Sequence, residues 1–138
     1  VNKKDRLYMQ IAELVSEQSY AVRARVGAVL VRDDNILAYG YNGTPTGLDN
    51  CCEDVTQSGE LVTKAEVLHA ESNVYSKVSR STQSSEGSTL YVTLSPCLSC
   101  SKIISQSGTR RVVFRTKYRE TSGIDLLEKM GIEVLHIQ

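Results

Sequence analysis

Leu7, Ile11, Leu14 and Val15 recur at helical spacing inside residues 3–18, which predicts an amphipathic first helix. The pattern then changes to that of strands. "RVGAVLVRDD" (25–34) is rich in branched apolar residues, Asp33-Asp34-Asn35 supplies turn chemistry, and "ILAYGYNG" (36–43) follows, so a β-hairpin is predicted. "NGTPTGLDNCCEDVTQSGE" (42–60) has the Gly, Pro, Asn and Asp content of a long loop, and loops of this length are commonly functional. A helical pattern resumes over 64–78. The serine-rich "SRSTQSSEGS" (79–88) reads as an exposed connector, and "TLYVTLS" (89–95) as a strand. Pro96 suits the start of a helix over 97–107. "RRVVFR" (110–115) predicts another strand, 122–130 a helix, and "GIEVLHI" (131–137) a closing strand.

Strands that alternate with helices from about residue 65 onward imply parallel pairing, joined here to an antiparallel opening hairpin. The expected architecture is an α/β three-layer sandwich: a mixed five-stranded sheet with helices on both faces. With 138 residues and no internal repeat, one domain spanning 1–138 is expected.

Composition narrows the function. Sixteen basic residues balance sixteen acidic ones, and the pI is about 6.9, so no global positive field draws nucleic acid. Apolar runs such as "VGAVLV" are too short to span a bilayer, and no signal-peptide pattern opens the sequence. A cytoplasmic protein without membrane or nucleic-acid partners is the expectation. Four cysteines fall as Cys51-Cys52 and Cys97-x-x-Cys100, which raises metal and redox chemistry rather than structural disulfides.

The chemistry concentrates in "VLHAESNVYSK" and "SPCLSC". His69, Cys97 and Cys100 offer an imidazole and two thiols, three good zinc ligands, with the carboxyl of Glu71 close by. Three protein ligands leave a fourth position open, the mark of a catalytic site rather than a structural one. His69 and Glu71 lie about 200° apart on a helix, so both could not easily face the metal from one helical surface. A division of labour resolves this: His69 faces the metal while Glu71 faces the water and the atom it attacks. If Cys97 opens a helix, Cys100 lies one turn on, and the helix N-terminus stabilises both thiolates.

Zinc makes a water nucleophile available near neutral pH, and a nearby carboxylate can pass its proton onward to a ring nitrogen and a leaving amine. The order H-x-E…P-C-x-x-C, with twenty-four residues between Glu71 and Pro96, is the known motif of zinc nucleobase deaminases. A thioredoxin-like redox pair at Cys97-x-x-Cys100 would leave His69 and Glu71 without a role. A zinc-stabilised binding or assembly protein would need a fourth protein ligand.

The sequence resembles the deoxycytidylate (dCMP) deaminases of the cytidine deaminase-like superfamily, especially those of bacteriophages. The resemblance runs almost end to end, through "RVGAVLV", "GYNGTPTG", "NCCED", "LHAESN", "LYVTLSPCLSC", "QSGTRRVVF", "YRETSG" and "LLEKMGIEV". It implies one catalytic Zn2+ on His69, Cys97 and Cys100, with Glu71 as the proton shuttle. It also implies a deoxycytidine nucleotide as substrate, dCMP and secondarily dCTP, with dUMP supplied to thymidylate synthesis. Asn42, Ala70 and Tyr118 would contact that substrate, with Arg25 and then Arg23 as candidates for its phosphate. The family is typically a homo-oligomer, a hexamer, activated by dCTP with Mg2+ and inhibited by dTTP, and Arg80 falls at a place associated with that effector. Some phage relatives carry a second, structural zinc that needs a cysteine near position 21. Here Ala21 and Val22 stand in that region, the histidine-bearing insertion is missing, and the only other histidine is His136, so one zinc is expected and Cys51 and Cys52 keep no assigned role. A tRNA or nucleic-acid base deaminase shares the zinc kit and stays open as the alternative.

Overall fold

The structure is a computed structural model and describes all of residues 1–138. Helix α1 spans Lys3–Ser16, and strands β1 (Gly27–Arg32) and β2 (Asn35–Tyr41) form the first hairpin. Two short strands, β3 (Glu53–Val55) and β4 (Leu61–Thr63), precede helix α2 (Ala70–Ser79) and strand β5 (Thr89–Leu94). Helix α3 (Leu98–Gln106), strand β6 (Arg111–Thr116), helix α4 (Ser122–Lys129) and strand β7 (Glu133–His136) complete the chain. The main sheet runs β2-β1-β5-β6-β7. The β1–β2 and β1–β5 pairs are antiparallel, and β5–β6 and β6–β7 are parallel, which is the expected mixed five-stranded sheet.

Alternation along the central strands makes the three layers. Ala28, Leu30, Leu90, Val92, Val112 and Phe114 face one side, where α2, α3 and α4 cover them with Val74, Ile104 and Leu127. Val29, Val31, Tyr91 and Val113 face the other, where α1 lays down Tyr8, Met9 and Ala12. A strand has period two, so one apolar stretch such as "GAVLVR" serves both layers. No helix is long and apolar enough to cross a membrane.

The α1 layer is locked by a charge. Asn2 and Asp5 form a reciprocal capping box at the helix start. Asp5 is only 1% exposed, yet its carboxylate takes two hydrogen bonds from the Arg111 guanidinium, at 2.7 and 2.8 Å, and one from the Tyr91 hydroxyl at 2.7 Å. Those bonds hold the Asp5 carboxyl far below the usual carboxylate range. In this way α1 is tied to β5 and β6, at the centre of the sheet.

Three expectations need correction. The segment 42–60 is not all loop: Glu53–Val55 pairs antiparallel with Leu61–Thr63, just beyond it. The helix expected over 64–78 begins only at Ala70, because Leu61–Thr63 is claimed by that pairing and the Lys64 N–H by Cys52 O. Leu68 is then held extended by a two-way backbone bridge to Gly43, at 2.8 and 3.0 Å. Pro96 does not start α3; it precedes Cys97, which is the N-cap residue.

Candidate metal centre and substrate cavity

His69 and Cys97 occupy equivalent places, each capping the N-terminus of a helix with extended backbone (φ −72°, ψ 159° and φ −73°, ψ 172°). Being outside the helix, His69 is not bound by the 200° wheel that its spacing from Glu71 suggested. Its ring turns towards α3 while Glu71, inside the first turn of α2, turns into the protein. Two glycines let these helix starts seat closely. A Cβ on Gly40 would lie 2.9 Å from Ala70 O, and one on Gly123 would lie 2.3 Å from Pro96 O and 2.8 Å from the Cys97 carbonyl carbon.

His69, Cys97 and Cys100 meet, with their ligand atoms all within 4.8 Å of one another. Nδ1 of His69 lies 3.3 Å from the Cys100 Sγ and 3.5 Å from the Cys97 Sγ. Tetrahedral zinc, with bonds of about 2.0 Å to nitrogen and 2.3 Å to sulfur, separates such atoms by about 3.5 Å. The donor set therefore fits zinc in chemistry and spacing. Hydrogen bonds from Cys100 and His69 push the Cys97 thiol well down, while the bond to Cys97 and burial push the Cys100 thiol up. The bond to Cys97 raises His69.

Beside this triangle lies a cavity of about 350 Å³, lined by His69, Cys97 and Glu71 among others. That volume falls in the range of about 300–1,000 Å³ usual for small-ligand pockets. Glu71 is 5% exposed, and burial pushes its carboxyl up to about 7 although its own backbone N–H pulls the other way.

The other candidates separate. Ala70, Asn42, Tyr118 and Arg23 line the cavity. Asn42 has spent much of its amide on the chain itself: Oδ1 accepts from Val26 N–H at 2.9 Å and Nδ2 donates to Ala24 O at 2.8 Å. One amide hydrogen is left for a ligand. Tyr118 is 43% exposed, its backbone N–H anchored on Ser95 Oγ at 2.7 Å. Arg23 reaches Thr63 Oγ1 through Nη1 at 3.1 Å. Arg25, the first choice for the phosphate, donates Nε to Ala21 O at 3.3 Å and is not among the lining residues. Period-two alternation would put Arg23 and Arg25 on one face, but the chain bends at Val22–Arg23 before β1 and the two arginines part. Arg80 caps the far end of α2, about 16.5 Å along the helix from His69 at 1.5 Å per residue.

Cys51 and Cys52 are free thiols, the first exposed and the second buried, and both hydrogen-bond backbone carbonyls of their own loop. His136 stacks on Phe114 at 4.8 Å and bonds Arg115 O, outside the site. Glu53, only 7% exposed, also lines the cavity, although no motif in the sequence marks it. Its carboxyl sits in "NCCED", where loop composition masks the strand pairing that buries it.

A cap-to-cap His/Cys/Cys triangle whose donors fit zinc thus lies beside a buried carboxyl on one face of a mixed α/β sheet. Residues 2–116 match the model of the cytidine and deoxycytidylate deaminase zinc-binding region, and the chain belongs to that family. It is 32% identical to the deoxycytidylate deaminase of Enterobacteria phage T4, over 94% of this chain and 87% of that one. It is 34% identical to the deoxycytidylate deaminase of Schizosaccharomyces pombe, of whose length it spans 42%. The crystal structure of the dCMP deaminase from cyanophage S-TIM5, in complex with dCMP and dUMP, superposes with a TM-score of 0.91 at 44% identity, covering 99% of both chains.

Proposed function

We propose that the protein hydrolyses dCMP to dUMP, replacing the 4-amino group of the cytosine ring by oxygen from water and releasing ammonia. The observation that carries this is the placement of a buried carboxyl, Glu71, on the same cavity as the His69–Cys97–Cys100 triangle. The likeness to the cyanophage enzyme bound to dCMP and dUMP supports the substrate.

His69, Cys97 and Cys100 would hold one zinc ion, which when bound would supply Lewis acidity and a water nucleophile at neutral pH. Glu71 moves the protons. It takes one from the attacking water and gives it to the ring nitrogen next to the amino-bearing carbon, then carries the proton of the new hydroxyl on that carbon to the departing amine, so that the carbonyl forms as ammonia leaves. Its burial suits this work, because a carboxyl kept near neutrality gives and takes a proton with little penalty. Ala70 is the first residue of α2, so its N–H has no acceptor inside the helix and is free for the base. Asn42 offers its remaining amide hydrogen to the sugar or base, Tyr118 borders the ring, and Arg23 takes the phosphate. The cavity-bound position favours Arg23 over Arg25 for this role.

The test is ammonia release from dCMP, dCTP, cytidine and deoxycytidine, with zinc counted per chain. Turnover of dCMP with one zinc is expected, and activity on free nucleosides alone would refute the nucleotide assignment. Assembly as a hexamer and control by dCTP with Mg2+ and by dTTP belong to the same proposal, on the strength of the phage likeness. Exposed Arg80 is the residue to test for it, by rate measurements with both triphosphates and by sedimentation.

A further inference from the structure

The β3–β4 hairpin contributes nothing to the metal or to proton transfer, yet two of its side chains face the substrate cavity. Glu53 and Thr63 are directly paired across the hairpin, and both line the cavity with Arg23. Oε2 of Glu53 accepts two consecutive backbone N–H groups, from Val22 at 2.9 Å and from Arg23 at 3.1 Å. Thr63 Oγ1 accepts from the other end of the same residue, Arg23 Nη1, at 3.1 Å. One cross-strand pair thus grips Arg23 at its backbone and at its guanidinium.

Burying a carboxylate is costly unless donors surround it, and here the donors are the amides that set the course of the chain at residues 22–23. An exposed arginine otherwise samples many rotamers and loses that freedom on binding an anion. Thr63 engages one of five guanidinium N–H donors, so the remainder stay available for phosphate oxygens.

We propose that Glu53 and Thr63 are positioning residues that hold Arg23 ready for the substrate's phosphate, so that the β3–β4 hairpin sets the preference for a nucleotide over a nucleoside. This rests on the assignment of Arg23 to the phosphate. The experiment compares KM and kcat for dCMP with competitive inhibition by dUMP and by deoxyuridine, which differ only in the phosphate. Thr63→Val keeps the shape and strand preference of residue 63 but removes the acceptor. It should raise the KM for dCMP and the Ki for dUMP about five- to tenfold, the worth of one lost hydrogen bond. kcat and the deoxyuridine Ki should hardly move. Thr63→Ser should restore dUMP binding, and Glu53→Gln, which keeps an acceptor oxygen, should be milder than Glu53→Ala. Equal weakening of dUMP and deoxyuridine would reduce the pair to a structural role and overturn the proposal. So would unchanged dUMP binding in Thr63→Val and Glu53→Ala while Arg23→Ala weakens it. If Arg23→Ala itself leaves dUMP binding intact, the phosphate assignment fails first and the positioning role falls with it. Should Glu53→Ala fail to fold, the Thr63 pair of variants decides alone.

Discussion

On each face of the sheet a helix buries a carboxyl group in its own first turn, and the two are treated in opposite ways. Asp5, under α1, meets Arg111, Tyr91 and the Asn2 cap, and its acidity is strengthened. Glu71, under α2, has no side-chain partner beyond the neighbouring metal-ligand cluster, and burial pushes it up to about 7. A buried charge with matched donors fastens elements together. A buried carboxyl left short of donors is an investment in chemistry, since nothing in the packing is gained by it. The same residue class thus meets opposite surroundings on the two faces of one small sheet.

The strongest way to break this contrast is to remove the reactive carboxyl. Glu71→Gln should lower kcat for dCMP by about 10²- to 10⁴-fold, the usual worth of general acid–base transfer. Zinc content should be retained, and the thermal midpoint should hold or rise, as measured by metal analysis and calorimetry. A large loss of stability would place Glu71 with Asp5 instead. The mirror experiment is Asp5→Ala, which strands Arg111. It should cost about 3–5 kcal/mol in urea unfolding, while kcat per folded molecule at low temperature stays near that of the parent. Replacing both members, Asp5→Leu with Arg111→Met, should recover much of that loss.

A smaller effect should come from Gly123→Ala, whose new Cβ would crowd Pro96 O and the Ser101 hydroxyl, at 2.3 and 2.7 Å. An overpacked contact of this kind costs about 1–3 kcal/mol. Because the crowding falls on the Cys97 cap, zinc should also be lost more readily to a chelator, which competition titration would show. The smallest effect is in pH. Asp5 is more acidic folded than unfolded, so its stabilisation is complete above its unfolded value of about 3.9 and fades as pH falls below it. The stability gap between the parent and Asp5→Ala should therefore be flat at neutral pH and shrink below about pH 4, by at most about 1.4 kcal/mol per pH unit. A gap that widened in acid would contradict the ion-pair account.

The sheet could be read from the chain because its strands are short apolar runs with turn residues between them, and period-two burial needs no distant information. The candidate site was legible for a different reason: His69, Glu71, Cys97 and Cys100 carry side-chain types with few other uses in that order. The β3–β4 hairpin was not legible, because "EDV" and "LVT" are too short and polar to outweigh their Gly-, Asn- and Ser-rich surroundings. Its pairing was decided between strands, and that pairing in turn shortened α2 and moved His69 from the helix to its cap.

The sequence by itself determined the layers, the mixed sheet and the four residues that meet at the candidate site, since local periodicity and residue chemistry are properties of the chain. Tertiary structure alone decided which arginine meets the cavity, why Asp5 and Glu71 differ, and how two helix starts close on one point. Those outcomes depend on which donors and which empty spaces arrive from elsewhere in the fold: Arg111 comes to Asp5 from over a hundred residues away, while Gly40 and Gly123 leave the room in which His69 and Cys97 converge.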